Sequence, residues 1–161
     1  MLGWVYLMKK QHDRAQTEME RAFTLDPNFD PSYQGLAFVL MSSGKPQEAI
    51  TAATKSVRLS PHQFFYLNGL GQAYIVAGRY EEAIATFKKV LAHIPDTWAP
   101  HWGLAVIYSE LGREEEAKAE GAEILRISPN FSLEVWKQRV FFKDPADIER
   151  YLASLRKAGL K

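Results

Sequence analysis

Between Leu67 and Leu91 the apolar positions fall at helical spacing in two separate stripes. Leu67, Leu70 and Tyr74 form the first, and Ala83, Phe87, Val90 and Leu91 the second. Gly78 stands between them and Pro95 closes the second. This pattern predicts two antiparallel helices, with Gly78 at a helix end that needs a positive φ and Pro95 where the second helix cannot continue. Ala83 lies one turn into the second helix. A small side chain there lets the two helices approach closely, with Gly71 as its counterpart on the first.

The same markers recur with one period. The prolines Pro27, Pro61, Pro95 and Pro129 are 34 residues apart, and Ala15, Ala49, Ala83 and Ala117 keep that step. So do Gly44, Gly78 and Gly112, and so do Leu2, Leu36, Leu70 and Leu104. Tyr6, Tyr74 and Tyr108 follow it, with Leu40 in the second slot. The counterparts of Gly71 are Gly3, Ala37 and Ala105. A fixed period of this size predicts a stacked array of helix pairs.

The combination of Leu67, Leu70, Gly71, Tyr74, Gly78, Ala83, Phe87 and Pro95 resembles the tetratricopeptide repeat family. The resemblance covers roughly residues 1 to 131, as a partial unit (1–29) and three full ones (30–63, 64–97 and 98–131), with the tail at 132–161. It implies an all-α fold, a right-handed α–α superhelix of helix-turn-helix repeats with C-terminal capping helices. Two departures stand out. Lys10 occupies the glycine slot, so that turn is expected to be tighter or to cost about 1 kcal/mol. Gly121 replaces the large residue equivalent to Phe87 and is expected to make room for Trp136. By phase, Met1 falls inside a first helix, and Leu2, Trp4, Val5, Tyr6 and Leu7 begin at once where a solenoid end is usually polar. The expectation is a fragment of a longer protein, with a possible homodimer through the truncated first unit.

The tail breaks the period. Residues 132–142 look like a fifth first-type helix that caps the stack. A last helix is predicted after Asp144 as N-cap and Pro145 at its first position, ending at Gly159, with Ile148, Tyr151, Leu152 and Leu155 as its apolar stripe. The ending FKDPADIERYLASLRKAGL resembles the C-terminal tails of bacterial multidomain proteins in which such repeats follow a class III nucleotide cyclase or a DNA-binding domain. That resemblance implies a soluble, cytoplasmic regulatory module whose catalytic partner lies outside this chain.

Composition narrows the function classes. A net charge of +1 gives no general attraction to nucleic acid or acidic lipid, and there is no cysteine for a disulfide or a thiol nucleophile. The N-terminal stretch runs apolar then basic, the reverse of a signal peptide. No run approaches the roughly 18 apolar residues of a membrane span. His12, His62, His93 and His101 lack metal-ligand spacing. The glycines of GLGQAYIVAG follow no strand and lack the Lys-Ser/Thr of a phosphate loop. No catalytic constellation, cofactor or metal is expected.

Binding remains. In this family the first helices line a concave groove. The corresponding stripes are Trp4 in the first unit, Gln34, Phe38 and Met41 in the second, Phe65, Asn68, Gln72 and Ile75 in the third, and Ala99, Trp102, Val106 and Ser109 in the fourth, with Trp136 from the tail. Lys and Arg are missing from these stripes, which argues against capture of a terminal carboxylate. Aromatic anchors and amides point to a protein or peptide segment as partner, the amides bonding the backbone of an extended peptide or capping a helix. The alternative is intramolecular docking of a cyclase or dimerising domain of the same polypeptide.

Overall fold

The computed structural model describes residues 2–140 and 142–161, without the Phe23 side chain. The phase reading of Met1 lies outside them. Among the described residues there are ten helices and no strand. They are α1 (Leu2–Met8), α2 (His12–Leu25), α3 (Asp30–Ser42), α4 (Pro46–Leu59), α5 (Phe64–Val76), α6 (Tyr80–His93), α7 (Trp98–Glu110), α8 (Glu114–Ile127), α9 (Leu133–Arg139) and α10 (Pro145–Lys157). Helices adjacent in sequence pack as antiparallel neighbours from α1 through α8. The odd-numbered helices α1, α3, α5 and α7 also touch one another in turn. The result is a right-handed α–α superhelix with the odd helices along one face.

The turn inside each pair has a fixed geometry. Gly78 has φ +71°. Its N–H bonds to Ile75 O at 3.0 Å, and the N–H of Arg79 bonds to Tyr74 O at 2.9 Å. These two bonds satisfy carbonyls that the end of α5 would otherwise leave orphaned. Lys10 adopts the same conformation, with φ +57° and Gln11 N bonded to Tyr6 O at 2.9 Å. The expected tighter turn is therefore absent. The geometry is kept, and a side chain in the left-handed region costs about 1–2 kcal/mol.

The seams between helices are set by size. Ala15, Ala49, Ala83 and Ala117 are all fully buried. One turn further along the second helices stand Met19, Ala53, Phe87 and Gly121, alternately large and small. Where the residue is large, the flanking odd helices offer glycine on both sides. Phe87 fills the space that a Cβ on Gly71 or Gly103 would need, and Met19 does the same to Gly3 and Gly35.

The C-terminal end departs from the sequence expectation. The helix that continues the array is α10, which packs on α7 and α8. By contrast, α9 has only 7 residues and its backbone packs chiefly on α10. The reason lies at the two small-residue positions. One period after Gly103 and Ala105 stand Lys137 and Arg139, whose side chains forbid a close approach to α8. Instead Ala158 closes on Gly121. The space at Gly121 is taken by the Ala158 backbone, and not by Trp136 as expected. Further bonds hold α10. Ser109 Oγ donates to Ser154 O at 2.8 Å in a buried site. Glu110 accepts from the Tyr80 hydroxyl and pairs with Arg150 Nε at 3.4 Å. Asp144 caps the helix through the N–H of Ala146 at 2.8 Å.

Candidate functional site

The concave face holds a cavity of about 320 Å³. Each odd helix from α1 to α9 contributes to it, because a step of 34 residues returns a side chain to the same face of the next first helix. Trp4 comes from α1, Phe38 and Met41 from α3, and Phe65, Asn68 and Gln72 from α5. Ala99 and Trp102 come from α7 and Trp136 from α9. The sequence reading did not include Trp98, Ser42, Arg139, Val140 or Phe142, which also line it. Trp98 stands one residue before Ala99, so a wider stripe would have included it. Phe142 lies out of period and has no such signal.

The aromatic rings form two groups. Trp4 and Phe38 meet edge to face, with centroids 5.5 Å apart, and Phe38 lies 6.4 Å from Phe65. At the other end Trp102 stacks on Trp136 at 5.6 Å and 30°, and touches Tyr151 of α10. Most of the wall is solid. Phe38, Met41, Asn68, Trp102 and Trp136 are buried, while Phe65 stands 56 % exposed and Trp98 39 %.

Four groove-stripe residues lie elsewhere. Gln34 is fully buried, with its Oε1 accepting from Ser56 Oγ at 3.0 Å and its amide filling the space beside Gly69. Small Ala53 in α4 and Gly69 in α5 leave that room, so the side chain turns into the seam. Val106 is fully buried in the same core cluster as Tyr151, Leu152 and Leu155 of α10. Ser109 is bonded to α10, and Ile75 is buried in that cluster. The docking of α10 thus ends the α7 stripe of the groove at Trp102.

Polar atoms are few and two are unusual. Asn68 Oδ1 and Trp102 Nε1 are buried without a hydrogen-bond partner. They are an acceptor and a donor on neighbouring helices. Behind the wall, His12 Nδ1 bonds to Ser42 Oγ at 2.8 Å, and Ser42 Oγ donates to Val39 O. Burial, helped by the Lys143 charge, lowers the His12 pKa, which keeps the ring neutral at neutral pH. Arg139 brings one cation to a face whose odd-helix stripes have none. The His101–Glu120 pair, with Nδ1 and Oε2 2.5 Å apart, joins α7 to α8 outside the cavity wall. Among the described residues no cluster of three His, Asp or Glu side chains is arranged to hold a metal, and no helix is long and apolar enough to cross a membrane.

Three family models, each described as tetratricopeptide repeat, match residues 1–29, 35–96 and 74–137. Small glutamine-rich tetratricopeptide repeat-containing protein 2 of Mycosarcoma maydis is 41% identical over 51 residues. That match spans 32% of this chain and 14% of the relative. Among solved structures, a thermophilic repeat protein of Thermus thermophilus, TTC0263, aligns with a TM-score of 0.75 at 20% identity, covering 98% of this chain and 86% of that one. Pseudomonas aeruginosa pilF aligns at 0.73 and 22%, covering 98% and 70%. MamA aligns at 0.68 and 19%, covering 98% and 92%. At these identities the structures show a shared fold, and with the family matches running from residue 1 to residue 137 they establish that the chain is an array of tetratricopeptide repeats, the architecture of protein–protein interaction scaffolds.

Proposed function

We propose that the chain is a non-catalytic binding module whose concave groove takes a peptide segment of a partner protein. One observation carries this reading: two residues that line an apolar, aromatic cavity each hold a buried polar atom without a partner, the acceptor Asn68 Oδ1 and the donor Trp102 Nε1. A buried polar atom without a partner costs about 1–3 kcal/mol. A trans peptide unit points its N–H and C=O in opposite directions. A unit that reaches both side chains donates its N–H to Asn68 Oδ1 and accepts at its C=O from Trp102 Nε1. Phe38, Phe65 and Trp4 then receive the flanking apolar side chains. Few charges pair, so affinity depends weakly on salt.

The test uses a peptide selected on the chain from a random displayed library. Asn68→Leu keeps the bulk and Trp102→Phe keeps an aromatic ring, and the pair removes the two polar atoms. Together they weaken binding more than tenfold, while melting shifts little because the loss of two orphaned groups offsets the smaller ring at 102. Unchanged affinity, or a steep loss of affinity with added salt, moves the interface off the groove. The competing occupant is a domain fused to this chain, such as the nucleotide cyclase that the tail's resemblance implies. An in-frame cyclase domain upstream of Met1 in the gene would favour it.

A further inference from the structure

Helix α9 is in register with the odd helices but does not have their role. Trp136 falls one period after Trp102, yet Lys137 and Arg139 occupy the positions where α5 and α7 carry glycine or alanine. The array is closed by α10 instead. Little holds α9. Trp136 stacks on Trp102, Leu133 is buried, the Leu133 N–H bonds to Lys161 O at 2.9 Å, and Lys137 makes an exposed pair with Glu149. Trp136, Arg139, Val140 and Phe142 meanwhile form one end of the cavity whose other end is Trp4, Phe38 and Phe65. The contact of α9 with Trp102 is also incomplete, because Trp136 covers the ring while Trp102 Nε1 stays without an acceptor.

We propose that α9 is an internal occupant of the groove, and that a partner segment presenting an aromatic side chain binds by displacing it while α10 keeps the array capped. The inference rests on the groove being the binding face. A ligand shifts such an equilibrium only through its differential affinity for the two states. Here the difference has three sources. The displaced state exposes the Trp102 face, it frees an N–H that α9 leaves unpaired, and it removes the Trp136 wall from a cavity that Trp102 already shares with Phe38 and Phe65. Trp136 supplies the chemistry of the partner: an aromatic ring that stacks on indole, followed by an aliphatic side chain as at Val140.

The probe is a labelled synthetic peptide of residues 132–143, SLEVWKQRVFFK, offered to the whole chain. The Trp136→Ala variant binds it at least tenfold more tightly than the unmodified chain, and adding Phe38→Ala removes the gain. Equal affinity for the unmodified and Trp136→Ala chains, still lost on Phe38→Ala, overturns the displacement and leaves the groove standing. Binding that is absent, or indifferent to Phe38→Ala, overturns both. A second measurement needs no variant. Hydrogen exchange on the unmodified chain shows α9 amides opening faster than those of α10, and faster again with excess peptide. Protection of α9 equal to that of α10 overturns the proposal.

Discussion

The carbonyl oxygen of Ala158 lies where a Cβ on Gly121 would be, well inside van der Waals distance. The neighbour is backbone and cannot swing aside as a flexible side chain would. Alanine at 121 therefore forces α10 away from α8. The helix propensity of alanine over glycine returns about 1 kcal/mol to α8, and overpacking costs about 1–3 kcal/mol. Gly121→Ala is expected to destabilise the C-terminal end by up to about 2 kcal/mol net. Hydrogen exchange should quicken in α10 and leave α4 and α5 unchanged, because repeats couple chiefly to their neighbours. Unaltered exchange in α10 with a raised melting temperature would refute the contact.

Phe87 carries the same argument with a side chain in the middle. Its ring is fully buried between Gly71 and Gly103. Gly103→Ala should cost up to about 2 kcal/mol net in urea unfolding, since the ring has glycine on both sides and nowhere to go while alanine returns about 1 kcal/mol to α7. Phe87→Leu in the same chain should recover part of that loss. If the two changes add without coupling, the ring is not wedged as described.

The period of 34 residues, the cap glycines and the alanine seams were legible in the sequence, because each is a property of one residue and its slot. What escaped depends on pairs of residues on different helices. Gln34 turns inward because Ala53 and Gly69 leave room, a fact written in two other helices. Lys137 and Arg139 held the signal that α9 could not close the stack, but that signal is read only against Gly103 and Ala105 one period earlier. Gly121 was noticed as a missing large residue, while its neighbour Ala158 lies outside the repeat. Of the groove stripes, those before Trp102 reach the cavity except Gln34 and Ile75. Of those after it, Trp136 reaches the cavity from α9, while Val106 and Ser109 are covered by α10, whose docking site no periodicity announces.

Tyr151 links α10 to pH. It is almost fully buried against Trp102 and Phe142, and burial pushes its pKa up to about 12 from an ordinary 10. The folded state holds this proton more tightly than the unfolded chain. Its contribution is fully present below pH 10 and is lost as pH rises from about 10 to about 12. Two pKa units correspond to about 2–3 kcal/mol. Burial pushes Tyr66 and Tyr80 up to about 12 as well and raises Tyr108, so urea unfolding across that window should show a larger loss than this, of which Tyr151→Phe removes about 2–3 kcal/mol. A Tyr151→Phe chain with the same alkaline slope as the unmodified one would assign the loss to other groups.

The last expectation concerns α1. Leu2, Val5 and Met8 form a stripe that is 58 %, 45 % and 72 % exposed. The residues one, two and three periods after Val5 are Val39, Ala73 and Ile107, and all are fully buried. Each of those helices packs on the second helix of the preceding pair. The stripe on α1 thus has the chemistry of an inter-repeat seam without a helix against it. An apolar patch of this kind favours pairing with another copy, and identical stripes meet about a two-fold axis. Light scattering should give an average mass that rises with concentration. Val5→Glu together with Met8→Glu should hold the chain monomeric at little cost in folding, since both side chains already face water. A constant monomeric mass for the unmodified chain at high concentration would show that the stripe does not pair with itself, and the same rise in mass for the double variant would place the dimer contact elsewhere.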